Sequence, residues 1–184
     1  VSVTVSGAGT TVPTGNVDIT GAHTNCSILL AGGSGSCSVV FNTTGHKTLT
    51  ATYGGDGKYA GSSGTAGHTV IQASSTTTIT DITPEPSKPG QAVEVEFTVT
   101  GGGATPTGTV SVTGADVNCS IKLSGASGSC NVIFNTIGVK PVTASYSGDA
   151  NYLPSTSPSV DHTVKNATTT TITVDNPDPS VPGE

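Results

Sequence analysis

The sequence reads NCSILLAGGSGSCSVVFNTTGHKTLTATYGGDGKY from Asn25 to Tyr59, and NCSIKLSGASGSCNVIFNTIGVKPVTASYSGDANY from Asn118 to Tyr152. The second stretch begins 93 positions after the first and matches it without a gap. Self-similarity at a fixed spacing is the signature of a tandem array of structural units. A unit of roughly 90 residues is long enough to bury a hydrophobic core of its own. The chain is therefore predicted to consist of repeated domains.

The same spacing places the boundaries of the repeats. TTTITDITPEPSKPGQ (Thr76–Gln91) recurs as TTTITVDNPDPSVPGE (Thr169–Glu184), and the opening VSVTVSGAGTTVPTG resembles the second unit from Val95 onward. The predicted domains are 1–73, a repeat lacking its first strand; 74–166, a complete repeat; and 167–184, the first strand of a following repeat. Two explanations remain open. The chain is an arbitrary window on a long array, or each unit completes the sheet of the next by strand donation.

The composition excludes several classes of function. Only 10% of the 184 residues are charged, and the net charge is −6. An acidic, weakly charged surface lacks the basic patch that nucleic acid requires. No apolar run approaches the 20 or so residues of a membrane-spanning helix, so no membrane insertion is expected of this segment. The sequence predicts neither a nucleic-acid partner nor a cofactor.

The hydrophobic pattern predicts strands. Val93, Val95, Phe97 and Val99 alternate with polar residues, which is the pattern of a strand buried on one face. Val110 with Val112, Ile121 with Leu123, and Val132 with Phe134 repeat this alternation. Glycine- and asparagine-containing breaks such as SGASGS and SGDAN separate the strands. The fold class predicted is all-β, with tandem immunoglobulin-like β-sandwich domains of about seven strands each.

The four cysteines fall two per repeat, as Cys26 with Cys37 and Cys119 with Cys130. Three connectivities are possible, and the recurrence of the pair as a unit favours a disulfide within each repeat. We expect a hairpin through Ser124–Ser129 to bring Cys119 and Cys130 opposite each other. The alternative, a zinc site, lacks the CxxC spacing typical of such sites. Disulfides indicate an oxidising, extracellular compartment.

The stretches TATYGGDGKYAGSS and TASYSGDANYLPSTS resemble the bacterial immunoglobulin-like repeats of the group 3 type. The P-x-P-S-x-P-G segment and the P-T-G that precedes the middle strand are similar to the same family. This resemblance covers essentially the whole chain. It implies tandem domains of adhesin-like bacterial or archaeal cell-surface proteins, and it implies no particular ligand.

Candidate sites are few. Asp56 and Asp149 occupy the G-D turn, where an aspartate commonly caps its own backbone; the rival interpretation is a calcium site between domains. The histidines at His68 and His162 are interpreted as ordinary strand positions, and a Ser/His/Asp triad lacks the G-x-S-x-G setting of a hydrolase. No catalytic residue is predicted. The N-x-S/T pattern marks four glycosylation candidates, Asn25, Asn42, Asn118 and Asn166.

The function predicted is structural and not enzymatic: a stalk, spacer or filament building block of an extracellular surface protein. Its partners would be neighbouring repeats of the same chain or identical subunits. The alternative is an adhesive module whose end loops recognise a cell-surface carbohydrate or a host protein. Binding loops usually carry aromatic or charged anchors. The loops GGGATPTG and SGASGS carry small residues, which favours the spacer.

Overall fold

The computed structural model describes residues 1–174, 179 and 181 of the chain, and within them all regular structure is β-strand. Strands β1 to β6 belong to the first repeat and β7 to β14 to the second. Their bounds are β1 Ser2–Thr4, β2 Asn16–Thr20, β3 Cys26–Leu29, β4 Ser34–Ser36, β5 Gly45–Tyr53, β6 Ser62–Val70, β7 Ser75–Thr83, β8 Ala92–Gly101, β9 Thr109–Thr113, β10 Cys119–Lys122, β11 Ser127–Ile133, β12 Gly138–Tyr146, β13 Ser155–Thr156 and β14 Val160–Val164.

The second repeat is a sandwich of two antiparallel sheets. One sheet has the order β11-β8-β7; the other has the order β10-β9-β12-β13, with β14 also paired to β12. Since β13 and β14 are two parts of one last strand, the described part of this repeat has the seven strands that the sequence predicts. The all-β fold class and the immunoglobulin-like sandwich are confirmed.

The alternating residues of the strands form the core between the two sheets. Val93, Val95, Phe97 and Val99 of β8 are at most 1% exposed. They pack in one cluster with apolar residues of the facing sheet, including Val110, Val112, Val142 and Tyr146. Burial of a valine or phenylalanine side chain contributes about 1.5 to 3 kcal/mol, so this face of β8 is a principal source of the repeat's stability.

The first repeat has the same arrangement but a smaller core. Its sheets have the orders β1-β4 and β3-β2-β5-β6. The buried cluster contains six residues, Val17, Ile19, Ile28, Leu30, Leu49 and Tyr53, with Val3, Val5 and Phe41 only partly buried against it. The difference lies in the sheet of β1, which lacks a counterpart of β7 among the described residues.

Each repeat contains the predicted disulfide. Cys26 is bonded to Cys37 and Cys119 to Cys130, with Cα–Cα distances of 6.3 and 6.1 Å. The predicted hairpin is wrong, however. Cys119 lies on β10, which pairs with β9, whereas Cys130 lies on β11, which pairs with β8 in the opposite sheet. The turn crosses between the sheets because both strands must bury their apolar face in the same core, and the disulfide therefore joins the two sheets.

The segment predicted as the first strand of a following repeat is described only in part. Residues 167–174 form no strand here, and Ile172 and Val174 are 83% and 75% exposed. Residues 175–178, 180 and 182–184 lie outside the described part of the chain. The domain boundaries 1–73, 74–166 and 167–184 therefore stay predictions.

Candidate functional site

The turn at Asp149 is built by hydrogen bonds to its carboxylate. One oxygen, Oδ1, accepts the N–H groups of Asn151 and Tyr152 at 2.7 and 2.9 Å. The other, Oδ2, accepts the N–H and the hydroxyl of Thr107 at 2.7 and 2.9 Å. Both oxygens are therefore occupied by donors from within the domain. This is the backbone-capping role of a turn aspartate.

Asp56 repeats this geometry in the first domain. Its Oδ1 accepts the N–H groups of Lys58 and Tyr59, both at 2.8 Å, and its Oδ2 accepts the N–H and the hydroxyl of Thr14. Nowhere in the described residues do three or more His, Cys, Asp or Glu side chains group so as to hold a metal ion. The hydrogen bonds of the two aspartates are those of turn caps, and the calcium interpretation stays a prediction.

Protonation of Asp149 is expected to weaken its turn. Burial raises the pKa of this carboxyl, but the hydrogen bonds from Thr107, Asn151 and Tyr152 outweigh that effect and lower its pKa from 3.8 to about 2. A depressed pKa in the folded state stabilises the protein above the unfolded-state pKa. This contribution is fully present above about pH 4 and is lost as the pH falls towards 2.

The variant Asp149→Asn should therefore be less stable than the wild type by about 1 to 2 kcal/mol at pH 7, since charged hydrogen bonds are lost. The difference should shrink as the pH falls from 4 to 2. Urea unfolding at several pH values measures it. Asp161→Asn, an exposed position on β14, is the control and should change little. If the difference in the free energy of unfolding were the same at pH 2.5 as at pH 7, Asp149 would not act as an ionised turn cap.

The structure also assembles a buried polar cluster that the sequence did not predict. Ser87 Oγ lies 2.7 Å from His162 Nε2, and Glu85 Oε2 contacts the other ring nitrogen, Nδ1. The imidazole ring stacks on Phe134, with 4.7 Å between ring centroids. His162 is thus not an ordinary strand position. The available signal was the P-E-P-S segment at residues 84–87, which recurs as P-D-P-S at residues 177–180.

This cluster has the order of groups found in hydrolytic triads, serine to histidine to carboxylate. However, Ser87 is 2% exposed and His162 is fully buried. A nucleophile must reach its substrate, and this hydroxyl lies inside the domain. The cluster instead fastens the segment that follows β7 to the last strand, β14. Ser87 also forms a parallel bridge with Val164, and Glu85 accepts the N–H of Thr163 at 3.0 Å.

The Glu85 carboxylate is held in its ionised form. Burial raises its pKa, but the hydrogen bonds from Thr163 and the neighbouring His162 outweigh burial, so the pKa lies below its usual value. An ionised carboxylate accepts hydrogen bonds only, as the Thr163 N–H and the imidazole require. The Glu85–His162–Ser87 cluster is therefore a clasp between the two ends of the repeat.

The two repeats are joined by direct backbone pairing. Ala73, at the end of the first repeat, forms a parallel bridge with Tyr152 of the second. Its N–H donates to the Asn151 carbonyl, and its carbonyl accepts the N–H of Leu153, both at 2.8 Å. The connection between the repeats is thus a strand-like contact along the turn of the next domain.

Hydrogen bonds from side chains of the first repeat to the second add to this backbone pairing, and the whole contact is called the joint. The Gln72 amide donates to the Asp149 carbonyl at 2.7 Å, and the Thr44 hydroxyl donates to the Ala150 carbonyl at 2.7 Å. The Thr44 N–H also donates to Asn151 Oδ1 at 3.3 Å. The turn that Asp149 caps is consequently the surface of the second repeat that the first repeat contacts.

The glycosylation candidates lie on the exposed surface, and their occupancy stays a prediction. Asn25 and Asn118 each use Oδ1 to accept a backbone N–H three residues earlier, from Ala22 and Ala115. Asn42 and Asn166 are exposed without such a contact among the described residues.

A comparison with protein families gives the clearest relationship. The family model described as "Bacterial Ig-like domain (group 3)" matches residues 79–165. Residues 79–165 belong to this family. The bacterial Ig-like domain so matched contains the clasp, the Asp149 turn and the Cys119–Cys130 disulfide. Domains of this family are typically non-catalytic, in keeping with the buried position of Ser87.

Other comparisons add little to the bacterial Ig-like assignment. No curated protein is similar enough to this chain to count as a relative. Among solved structures, the chain is similar to one titled "Structures of Clostridium thermocellum CbhA fibronectin(III)-like modules". The identity is 10%, the match covers 86% of this chain and 80% of that chain, and the TM-score is 0.36.

Proposed function

We propose that this chain is a structural repeat module of an extracellular surface protein, acting as a stalk, spacer or filament building block. The observation that carries this proposal is the joint between the repeats. A flexible linker leaves two domains free to reorient. Here the connection has no free stretch, because Ala73 is paired with the turn at Tyr152 and β7 begins at Ser75.

An extracellular location is supported by the cysteines. All four are in disulfides and none is free. Such bonds persist in oxidising compartments and are rare in the cytosol. No described helix has the length and apolar character needed to cross a membrane.

The joint also bears on the adhesive alternative. Loops at the end of a sandwich are where immunoglobulin-like modules commonly bind ligands. In the second repeat, the Asp149 turn at one such end is used by Gln72 and Thr44 of the first repeat. The turn at that end is therefore occupied by contacts with the neighbouring domain, which favours a spacer over a binding module.

Removing the joint contacts tests the proposal. In the wild type, ¹⁵N relaxation should give both repeats one common rotational correlation time. The double variant Thr44→Ala/Gln72→Ala should give each repeat a shorter time of its own, without unfolding either. The matched control is Ile137→Ala/Lys165→Ala, at the equivalent positions of the second repeat, which should tumble as the wild type does. Independent tumbling of the wild-type repeats would refute the rigid spacer.

Assembly of such modules into filaments would use strand donation between chains. What supports this mode is the exposure of Ile172 and Val174, which lie in the recurrence of the β7 sequence and would be covered by such pairing.

A further inference from the structure

In the second repeat, the chain on either side of β7 runs beside the last part of the repeat and in the same direction. Ala73, two residues before β7, forms a parallel bridge with Tyr152. Beyond the other end of β7, Ser87 forms a second parallel bridge with Val164, the last residue of β14. The nine residues of β7, about 30 Å of extended chain, lie between the two bridges. The chain therefore enters this sandwich at one end and leaves its last strand at the other.

This arrangement determines how tension would act on the repeat. Tension along a stalk pulls Ala73 away from the sandwich at one end and Val164 away from it at the other. Since both bridged pairs are parallel, the two segments are pulled in opposite directions along their length. They can separate only by sliding past each other, so the bonds between them are loaded together and do not open one after another.

The clasp lies across this sliding contact. Ser87 Oγ lies 2.7 Å from His162 Nε2, and Glu85 contacts the other nitrogen of the same ring. Two backbone bonds flank it: the Ser87 N–H donates to the Thr163 carbonyl at 3.0 Å, and the Lys165 N–H donates to the Ser87 carbonyl at 2.9 Å. A slip of β14 by one residue would turn the imidazole to the other face of the strand, because side chains alternate. Sliding therefore breaks the clasp and the backbone bonds at once.

Water cannot take over these hydrogen bonds while the clasp is closed. Ser87 is 2% exposed, His162 is fully buried, and the ring is stacked on Phe134. A hydrogen bond broken in such surroundings leaves buried polar groups without a partner, which costs more free energy than an exchange with water at the surface. The burial of the clasp thus raises the barrier to the first slip.

The contacts at the start of β7 are less protected. The Ser155 hydroxyl lies 2.7 Å from the hydroxyls of both Ser75 and Thr77. Thr77 is buried, but Ser75 and Ser155 are only half-buried. Water can therefore compete for these bonds earlier than for those of the clasp, and we expect the clasp to carry the larger share of the load.

We propose that the Glu85–His162–Ser87 clasp is the load-bearing contact that holds the second repeat closed when the chain is pulled along its length. The inference rests on the proposed stalk function and specifies where such a stalk resists tension. The joint keeps the two repeats in one orientation, whereas the clasp keeps the second repeat folded under load.

Pulling single molecules of the full chain by its two ends at constant force tests the proposal. Unfolding of the second repeat can lengthen the chain by at most about 280 Å, since the Cys119–Cys130 disulfide keeps its loop closed, and unfolding of the first by at most about 210 Å. The variant Ser87→Ala removes the hydroxyl from the clasp and leaves the backbone bridge in place. Its second repeat should unfold about tenfold faster than that of the wild type at the same force.

A second clasp variant and a matched control complete the test. Glu85→Gln keeps an acceptor oxygen but loses the charge, and should unfold about threefold faster. Val112→Ala, a fully buried position on β9, should lower the stability to urea about as much as Ser87→Ala does. Since Val112 lies outside the sliding contact, its loss should speed unfolding under force by less than about threefold. Equal acceleration by Val112→Ala and Ser87→Ala, or a wild-type rate in Ser87→Ala, would overturn the proposal.

The force experiment and the relaxation experiment can fail separately. Independent tumbling of the two repeats would refute the rigid spacer, whatever Ser87→Ala does under force. An unchanged force response of Ser87→Ala would refute the load-bearing clasp and leave the rigid joint untouched, because the joint depends on Thr44, Gln72 and Ala73.

Discussion

Replacing Phe134 with alanine is expected to destabilise the second repeat by about 3 to 5 kcal/mol, the usual cost of deleting a buried phenyl ring. Phe134 is fully buried and packs both in the main core and against the His162 ring. Its loss leaves a cavity and also frees the imidazole from its stacking partner. For a domain of this size, the shift corresponds to a melting temperature lower by about 15 to 30 °C.

The first repeat supplies the matched control. Phe41 occupies the equivalent position and stacks on His68, but it is only half-buried. Phe41→Ala should cost about 1 to 2 kcal/mol, since less apolar surface is lost to water. Urea unfolding followed by amide NMR signals of each repeat separates the two effects. Equal losses of unfolding free energy in the two variants would show that the core of the first repeat is packed as completely as that of the second.

Removal of the Cys119–Cys130 disulfide is expected to cost about 3 kcal/mol, the contribution of a bond that closes a short loop in the unfolded chain. The bond spans 11 residues in sequence. Since it joins β10 and β11 across the two sheets, its loss also frees two edge strands to separate. The variant Cys119→Ala/Cys130→Ala should melt at a lower temperature by about 10 to 20 °C.

Calorimetry of this variant beside Cys26→Ala/Cys37→Ala checks the assignment. Each double variant should lower the transition of its own repeat and leave the other unchanged. Thiol titration of the unfolded wild type should find no reactive thiol before reduction and four afterwards. A wild-type protein with free thiols, or with cysteines of different repeats bonded together, would contradict the pairing.

Much of the second repeat could be predicted from its residues. The alternation Val93, Val95, Phe97 and Val99 predicts a strand buried on one face, and each of these side chains is buried. The cysteine pairing followed from the repeat. The hairpin prediction failed because alternation gives the face of a strand and not its sheet. Cys119 and Cys130 both point inward whether their strands are neighbours or lie in opposite sheets.

The candidate sites are divided in the same way, into features that the sequence predicts and features that only the packing decides. Asp149 could be interpreted as a turn cap because its contacts with Asn151 and Tyr152 are local in sequence. The Glu85–His162–Ser87 clasp could not, because its members are separated by up to 77 residues and meet only when the segment after β7 lies beside β14. The recurring P-[ED]-P-S segment marks two members of the clasp, but nothing in it relates them to a histidine 75 residues away.

By itself, the sequence determined the repeat, its strands and the inward faces of those strands, because these depend on spacing along the chain. Only the tertiary structure decided which sheet each strand joins. It also decided that the disulfides bridge the two sheets and that the backbone of Ala73 pairs with that of Tyr152. It also decided the contrast between buried His162 and exposed His68. That contrast depends on whether a first strand covers the core, which is a property of packing and not of local sequence.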